Sequence, residues 1–140
     1  MFKTLQFLLT SLVIFLSFST FAAKKDAPMT VEGVTTINAE QAKNLFDEGV
    51  LFVDPRRDSD WAAGRIPDAE HLELNTNFNE ASLLDAAEGD KTAKVVFYCN
   101  GPKCARSAKC ATQAISWGFT NIFYFRDGFP EWKNAGYPVE

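Results

Sequence analysis

The three cysteines of the sequence carry its most distinctive chemistry, and the first of them follows an apolar segment. Cys99 comes directly after residues 94–98, a β-branched and aromatic run that predicts a buried strand. The next four residues include a glycine and a proline, which end the strand. A helix is predicted over residues 104–117, with Gly118 as its C-terminal cap. Cys99 is therefore expected in a loop between the end of a strand and the start of a helix.

A loop in this position stabilises negative charge. Its backbone N–H groups and the positive end of the helix dipole face a bound anion. Lys103 and Arg106 add two formal positive charges nearby. These effects favour a thiolate, which is the nucleophilic form of cysteine. We therefore predict that Cys99 is a nucleophile, the alternative being an inert cysteine buried at a strand end.

Cys104 and Cys110 have different expected roles. Four residues separate Cys104 from Cys99, and a curled loop could bring the two sulfur atoms together. They could then form a disulfide, or Cys104 could resolve a persulfide or a sulfenic acid on Cys99. The alternative is that Cys104 only packs at the start of the helix. Cys110 lies about two turns into that helix and is predicted to belong to the core.

The N-terminal residues predict export. Lys3 precedes a nearly continuous apolar run, and Thr20 and Ala22 provide the small residues of a signal-peptidase site. We expect cleavage after Ala22 and a periplasmic or secreted domain with no stable membrane anchor. The alternative is an uncleaved anchor, although the run is shorter than the roughly 20 residues of a membrane span. The predicted organisation is a signal peptide, a tether and one domain, at residues 1–22, 23–34 and 35–140.

Export would place the cysteines in an oxidising compartment, where disulfides persist. Because their number is odd, at least one thiol has no partner within the chain. The sequence contains a single histidine, His71, which is distant from the cysteines, and we predict neither a metal site nor a cofactor. The formal net charge of -4 gives no electrostatic reason to expect a nucleic-acid partner.

The elements that must position the loop alternate between strands and helices. Asn38 and Gln41 have the spacing of a capping box at the start of the first helix. Short apolar runs that predict strands lie at residues 50–53, 71–74, 94–98 and 121–125. We predict an α/β fold with three layers: an open, mostly parallel sheet of about five strands with helices on both faces. Ligands of such sheets bind beyond the carboxyl ends of the strands, where Cys99 is expected.

Three segments resemble motifs of rhodanese-like domains. The first is Cys99 after an apolar strand, followed by a glycine-containing loop and by Arg106 and Ser107 at the helix start. Residues 51–56 (LFVDPR), followed by residues 61–69 (WAAGRIPDA), are similar to the family's D-x-R and G-H-I-P-G-A motifs. Residues 127–139 (DGFPEWKNAGYPV) are similar to its closing G-G-x-x-x-W-x-x-x-G-x-P-V motif. The match covers nearly all of the predicted mature chain in the expected order.

The resemblance implies a sulfurtransferase in which Cys99 takes a sulfane sulfur as a persulfide and passes it to a thiophilic acceptor. It implies a small donor such as thiosulfate, whose oxyanion Arg106 would hold, and a thiol acceptor. A periplasmic protein partner is possible, and the resemblance does not identify one. Asp54 and Arg56 would support the loop from the neighbouring strand. The residues that would bind the substrate are Asn100, Gly101, Lys103, Arg106 and Ser107.

The sequence also departs from the family pattern. Six residues separate Cys99 from Arg106, where family loops usually have four. The longer loop implies a differently shaped binding site, so the resemblance does not identify the substrate. Arg65 and Asp68 stand where the family usually has histidine and glycine. Two other functions are compatible with these residues: a thiol–disulfide redox module that uses Cys99 and Cys104, and a non-catalytic interaction domain. A phosphatase is a weaker alternative, because the loop is too long and no general acid is placed.

Overall fold

The computed structural model describes residues 25–140, so the predicted signal peptide lies outside the described residues. The strands are β1 (Thr35–Thr36), β2 (Leu51–Asp54), β3 (Glu70–His71), β4 (Val95–Tyr98) and β5 (Ile122–Phe125). The helices are α1 (Ala39–Asp47), α2 (Asp58–Ala63), α3 (Glu80–Ala86), α4 (Arg106–Ser116) and α5 (Gly128–Asn134). No helix within residues 25–140 has the length and apolar character needed to cross a membrane.

The five strands form one sheet in the order β1-β5-β4-β2-β3, and every neighbouring pair is parallel. The predicted α/β fold with a mostly parallel sheet is therefore confirmed. The third strand is shorter than predicted and begins earlier, at Glu70. Leu72 and Leu74 nevertheless continue the hydrogen bonding of this strand, because their N–H groups donate to the carbonyl oxygens of Asp54 and Pro55.

Apolar side chains on the two faces of the sheet form two separate cores. Strand β4 contributes to both, because successive side chains of a strand point to opposite faces. Val95 and Phe97 pack in a cluster with α3 and α4, whereas Val96 and Tyr98 pack in a cluster with α1 and α5. All four side chains of β4 are 0% exposed. Helix α1 begins with the predicted capping box of Asn38 and Gln41. The central strand is thus fixed from both sides up to the residue that precedes Cys99.

Residues 25–34, predicted as a tether, contact the domain. Ala27 is buried, and its N–H donates to the carbonyl oxygen of Pro102 at 2.6 Å. The Arg126 side chain donates to the Ala27 carbonyl, and the Tyr124 hydroxyl donates to the Pro28 carbonyl at 3.0 Å. This segment therefore lies against the loop that follows Cys99 and against the end of β5.

Candidate functional site

The carboxyl ends of the parallel strands meet at one edge of the sheet. Strand β2 ends at Asp54, β4 is followed by Cys99, and β5 is followed by Arg126, Asp127 and Gly128. We call residues 99–105, which connect β4 to α4, the cysteine loop. The cysteine loop places Cys99 between the end of a strand and the start of a helix, the position that the sequence predicted.

A disulfide bond links Cys99 to Cys104 inside the cysteine loop, with the two Cα atoms 6.1 Å apart. The loop curls back at Gly101, which is buried and has a φ angle of +112°, a conformation that suits glycine. The Cys104 N–H donates to the Gly101 carbonyl at 3.0 Å and closes this turn. The structure thus shows the disulfide, one of the alternatives left open by the sequence.

The two bonded cysteines differ in their exposure. Cys99 is 1% exposed, whereas Cys104 is half-buried and lines an open cavity. The third cysteine, Cys110 of α4, is unpaired and 0% exposed in the core, as predicted. Burial raises the pKa of the Cys110 thiol well above its ordinary value, so it stays neutral and unreactive. Redox chemistry in the described residues therefore concerns Cys99 and Cys104.

The backbone of Cys99 is held by the turn between β5 and α5. Its carbonyl oxygen accepts the N–H of Phe129 at 2.8 Å. Gly128 has a φ angle of +65°, and a Cβ atom at this position would collide with the Cys99 carbonyl oxygen and lie 2.9 Å from the Gly101 nitrogen. Glycine is therefore required here for the close approach of two backbone segments.

A buried ion pair supports the cysteine loop from β2. Asp54 is 0% exposed and Arg56 is 2% exposed, and the Arg56 Nη2 atom lies 2.7 Å from Asp54 Oδ2. Arg56 Nη1 donates to the Asn100 Oδ1 atom at 3.1 Å, and Nη2 donates to the Gly64 carbonyl at 2.7 Å. These bonds tie the first loop residue after Cys99 to the end of β2.

Tyr98 completes this buried network. Its hydroxyl donates to Asp54 Oδ2 at 2.5 Å and accepts the N–H of Ile66 at 3.2 Å. Burial, together with the charge of Asp54, raises the pKa of the Tyr98 hydroxyl and keeps it a neutral donor. Burial alone would disfavour the charged form of Arg56, but the hydrogen bonds and the charge of Asp54 prevail and raise the pKa of Arg56. Among the described residues, the buried side-chain polar atoms of this network all have hydrogen-bond partners.

A second ion pair lies on the other side of the loop. The Arg106 guanidinium binds the Glu73 carboxylate and donates to the Pro55 carbonyl at 3.1 Å. Burial of Glu73 opposes its ionisation, but hydrogen bonds from Arg106 and from the Asn75 backbone outweigh burial and lower the pKa of Glu73. Arg106, predicted to hold a substrate oxyanion, therefore carries its own counter-charge.

A cavity of about 260 Å³ opens beside this second ion pair. Its lining residues are Arg57, Asp60, Asn100, Lys103, Cys104 and Arg106. Cationic side chains outnumber anionic ones in this lining, so the cavity suits a small anion. A groove of about 430 Å³ continues from it past Glu73 and Thr76. A larger cavity of about 900 Å³ lies at the amino ends of β2 and β4, around Leu51 and Lys94, away from the cysteines.

The structure brings most of the predicted site residues together. Asn100, Lys103 and Arg106 line the cavity with Cys104, and Asp54 and Arg56 hold the loop from behind. Gly101 forms the turn of the loop. Ser107 is 1% exposed at the start of α4 and lies outside the cavity lining.

Other residues of the site were not singled out as functional from the sequence. Glu73, Asp60 and Arg57 approach the loop from segments distant in the chain. For Glu73 a signal was present, because it is the one charged residue among the apolar residues 72–74 at a predicted strand. His71, expected at a strand end, stacks on Trp61 with ring centroids 4.6 Å apart.

The fold and the site define an α/β protein that holds a cysteine between the central strand of a parallel sheet and the following helix. The sequence model of the rhodanese-like domain matches residues 38–135. The chain therefore belongs to the rhodanese-like domain family, as the resemblance implied.

Known proteins agree with this assignment. The chain is 34% identical over 104 residues to thiosulfate sulfurtransferase GlpE of Pseudomonas fluorescens, covering 74% of this chain and 88% of the relative. A solved structure from Rhodopseudomonas palustris, described as a possible tyrosine phosphatase, is 26% identical with a TM-score of 0.62 and covers 76% of this chain and 85% of that one. The polysulfide-sulfur transferase of Wolinella succinogenes shares the fold at 20% identity with a TM-score of 0.62, covering 77% and 79% of the two chains. The match to the Pseudomonas fluorescens enzyme supports sulfurtransferase activity at the level of the family, whereas the Wolinella succinogenes structure shows the fold alone.

Proposed function

We propose that this protein is a sulfurtransferase in which Cys99 carries sulfane sulfur as a persulfide. The observation that carries the proposal is the position of Cys99, directly after the central strand in a member of the rhodanese-like family. Strand β4 fixes the backbone before Cys99, and the Phe129 N–H and the Asn100 contact with Arg56 fix the backbone after its side chain. A fixed backbone holds a nucleophile in one orientation toward its substrate.

The reaction begins with reduction of the Cys99–Cys104 bond by an external dithiol. The Cys99 thiolate then attacks the outer sulfur of a donor such as thiosulfate, and the S–S bond of the donor breaks with its electron pair leaving on sulfite. The resulting persulfide passes its outer sulfur to an acceptor thiolate, and the Cys99 thiolate is regenerated. Lys103 and Arg57 attract the anionic donor to the cavity.

Mass spectrometry of the reduced protein tests this proposal. After incubation with thiosulfate, we expect a mass gain of one sulfur atom in the Cys104→Ser variant, and we expect cyanide to remove it. Cys110→Ala, which alters a buried cysteine outside the site, should not prevent sulfur transfer to cyanide. Cys99→Ser should show neither the mass gain nor the transfer. Absence of the gain in Cys104→Ser, with Cys99 still alkylatable, would contradict the proposal.

A second candidate function is a thiol–disulfide redox module, and the observed disulfide favours it. It requires a reversible two-electron couple between Cys99 and Cys104 and no uptake of sulfane sulfur. Thiol trapping at a series of fixed redox potentials measures that couple. Export, which the N-terminal sequence predicts, would place the protein where such disulfides are maintained.

A further inference from the structure

The Cys99–Cys104 bond shows which atoms of the cysteine loop can react with each other. We propose that Cys104 releases the sulfur carried by Cys99 as sulfide, so that the protein is a sulfane-sulfur reductase driven by an external dithiol. This inference rests on the proposed function, because it starts from a persulfide on Cys99. It adds a second activity, in which the sulfur leaves as free sulfide.

The first argument is geometric. In a persulfide on Cys99 the inner sulfur is the Sγ atom of Cys99, and this is the atom to which Cys104 is bonded in the structure. The folded loop thus already brings the Cys104 Sγ atom to the inner sulfur. The turn closed by the Cys104 N–H and the Gly101 carbonyl favours the same arrangement. Attack within one loop has a high effective concentration and competes well with an external acceptor.

The second argument concerns burial and charge. Cys99 is 1% exposed, whereas Cys104 is half-buried and lines the 260 Å³ cavity. Lys103 and Arg57 line the same cavity, so a small anion that leaves the loop at the Cys104 end is stabilised there.

The step balances in atoms and electrons. The Cys104 thiolate attacks the Cys99 Sγ atom, and a new S–S bond forms between the two cysteines. The bond between Cys99 Sγ and the outer sulfur breaks, and its electron pair leaves with the outer sulfur, which takes one proton from water and departs as hydrosulfide. The two cysteine sulfurs are oxidised to a disulfide, and the sulfane sulfur is reduced to sulfide. A dithiol then reduces the disulfide and is itself oxidised.

A single-turnover experiment tests the inference. The full protein is reduced, freed of reductant under anaerobic conditions, and given one equivalent of thiosulfate labelled in its outer sulfur. We expect wild type to release the label as sulfide and to lose both loop thiols, leaving Cys110 for alkylation after unfolding. The Cys104→Ser variant should retain the label as a cyanide-labile persulfide. Cys110→Ala is the matched control and should release labelled sulfide as wild type does.

The outcomes separate the inference from the proposed function. If wild type retains a stable labelled persulfide with Cys104 still alkylatable, the release step is overturned while sulfur carriage by Cys99 stands. If Cys104→Ser and wild type both fail to take up label, the proposed function fails, and the release step fails with it. Equal release of sulfide by wild type and Cys104→Ser would also overturn the role of Cys104.

Discussion

Two arginine–carboxylate pairs flank the cysteine loop, and they differ in their surroundings. Asp54 and Arg56 are almost completely buried, and Arg56 also lies over the Phe129 ring, 4.7 Å from its centroid. Arg106 and Glu73 are bonded to each other, but Arg106 borders the open cavity. The first pair fixes the loop at the Cys99 end, and the second shapes the charge at the Cys104 end.

Under the proposed function, this difference would give the two ends of one loop separate tasks. The Cys99 end is held by Asn100 and by the Phe129 N–H, so its sulfur keeps a fixed position. The Cys104 end faces the cavity, where a donor, a leaving anion or a reductant can approach. A carrier sulfur benefits from a fixed position, and a resolving sulfur benefits from access.

The largest expected effect comes from Asp54→Asn. This isosteric change removes the negative charge that compensates the buried Arg56 guanidinium, and we expect a loss of about 3–5 kcal/mol in the free energy of unfolding. Urea denaturation at neutral pH measures it. The matched control is Glu73→Gln, which changes the pair beside the cavity and should cost less. Equal losses for the two variants would show that the buried pair and the pair beside the cavity contribute equally to stability.

Gly128→Ala tests whether the Cys99 end is fixed by close backbone approach. The added Cβ atom would collide with the Cys99 carbonyl oxygen. Gly136→Ala is the control, because its φ angle of +78° is similar and an added Cβ atom would have nothing within 4 Å. We expect Gly128→Ala to cost about 1–3 kcal/mol more than Gly136→Ala, the usual range for overpacking. Thermal and urea denaturation measure both, and similar losses would show that the approach is not required.

Glu73→Gln also tests how the contribution of the second ion pair to stability depends on pH. Hydrogen bonding to Arg106 lowers the pKa of Glu73 in the folded state, despite the opposing effect of burial. Stabilisation by the ionised carboxylate is therefore complete above the ordinary glutamate pKa and is lost as the pH falls through the lowered folded value. At pH 7 we expect wild type to exceed Glu73→Gln by about 1–3 kcal/mol in unfolding free energy.

Denaturation of the two proteins over a series of acidic buffers measures this dependence. The advantage of wild type should shrink as the pH falls below about 4.5, the ordinary glutamate value. An advantage that is constant between neutral and strongly acidic pH would show that the charge of Glu73 contributes nothing.

Local patterns in the sequence predicted most of the fold. The capping box of Asn38 and Gln41, the apolar run before Cys99 and the glycine after α4 each encode their structure within a few residues. Strand β1 was not predicted, because its exposed residues, Thr35 and Thr36, become a strand only by pairing with β5. Such pairing depends on contacts distant in the chain.

The residues of the site also fall into those predictable from neighbouring residues and those that depend on contacts distant in the chain. Cys99 and the residues of its loop were found because they are consecutive, and the strand end defines their position. The pairing of Glu73 with Arg106 was not found from the sequence, because it joins residues 33 positions apart. The spacing of Cys99 and Cys104 permitted the disulfide but did not require it, since the bond depends on how the loop turns at Gly101.

The smallest expected effect comes from Lys103→Ala at the open end of the loop. Lys103 is exposed and lines the cavity, so its charge attracts an anionic donor without supporting the fold. An exposed charge contributes up to about 1 kcal/mol, which corresponds to roughly a two- to five-fold rise in the KM for thiosulfate with unfolding free energy unchanged. Steady-state kinetics with cyanide as acceptor measure the KM in proteins that also carry Cys104→Ser, so that the loop disulfide cannot form between turnovers.

Lys109→Ala is the matched control, because Lys109 is an exposed lysine on α4 that does not line the cavity. Both variants change the net charge of the protein equally, so a general electrostatic effect would raise the KM equally in both. A local effect of the cavity predicts a rise for Lys103→Ala alone, and it predicts that added salt reduces the difference from wild type, because salt screens exposed charges. A KM that rises equally in both variants would remove Lys103 from the site and leave the open end of the loop without a specific attraction for its donor.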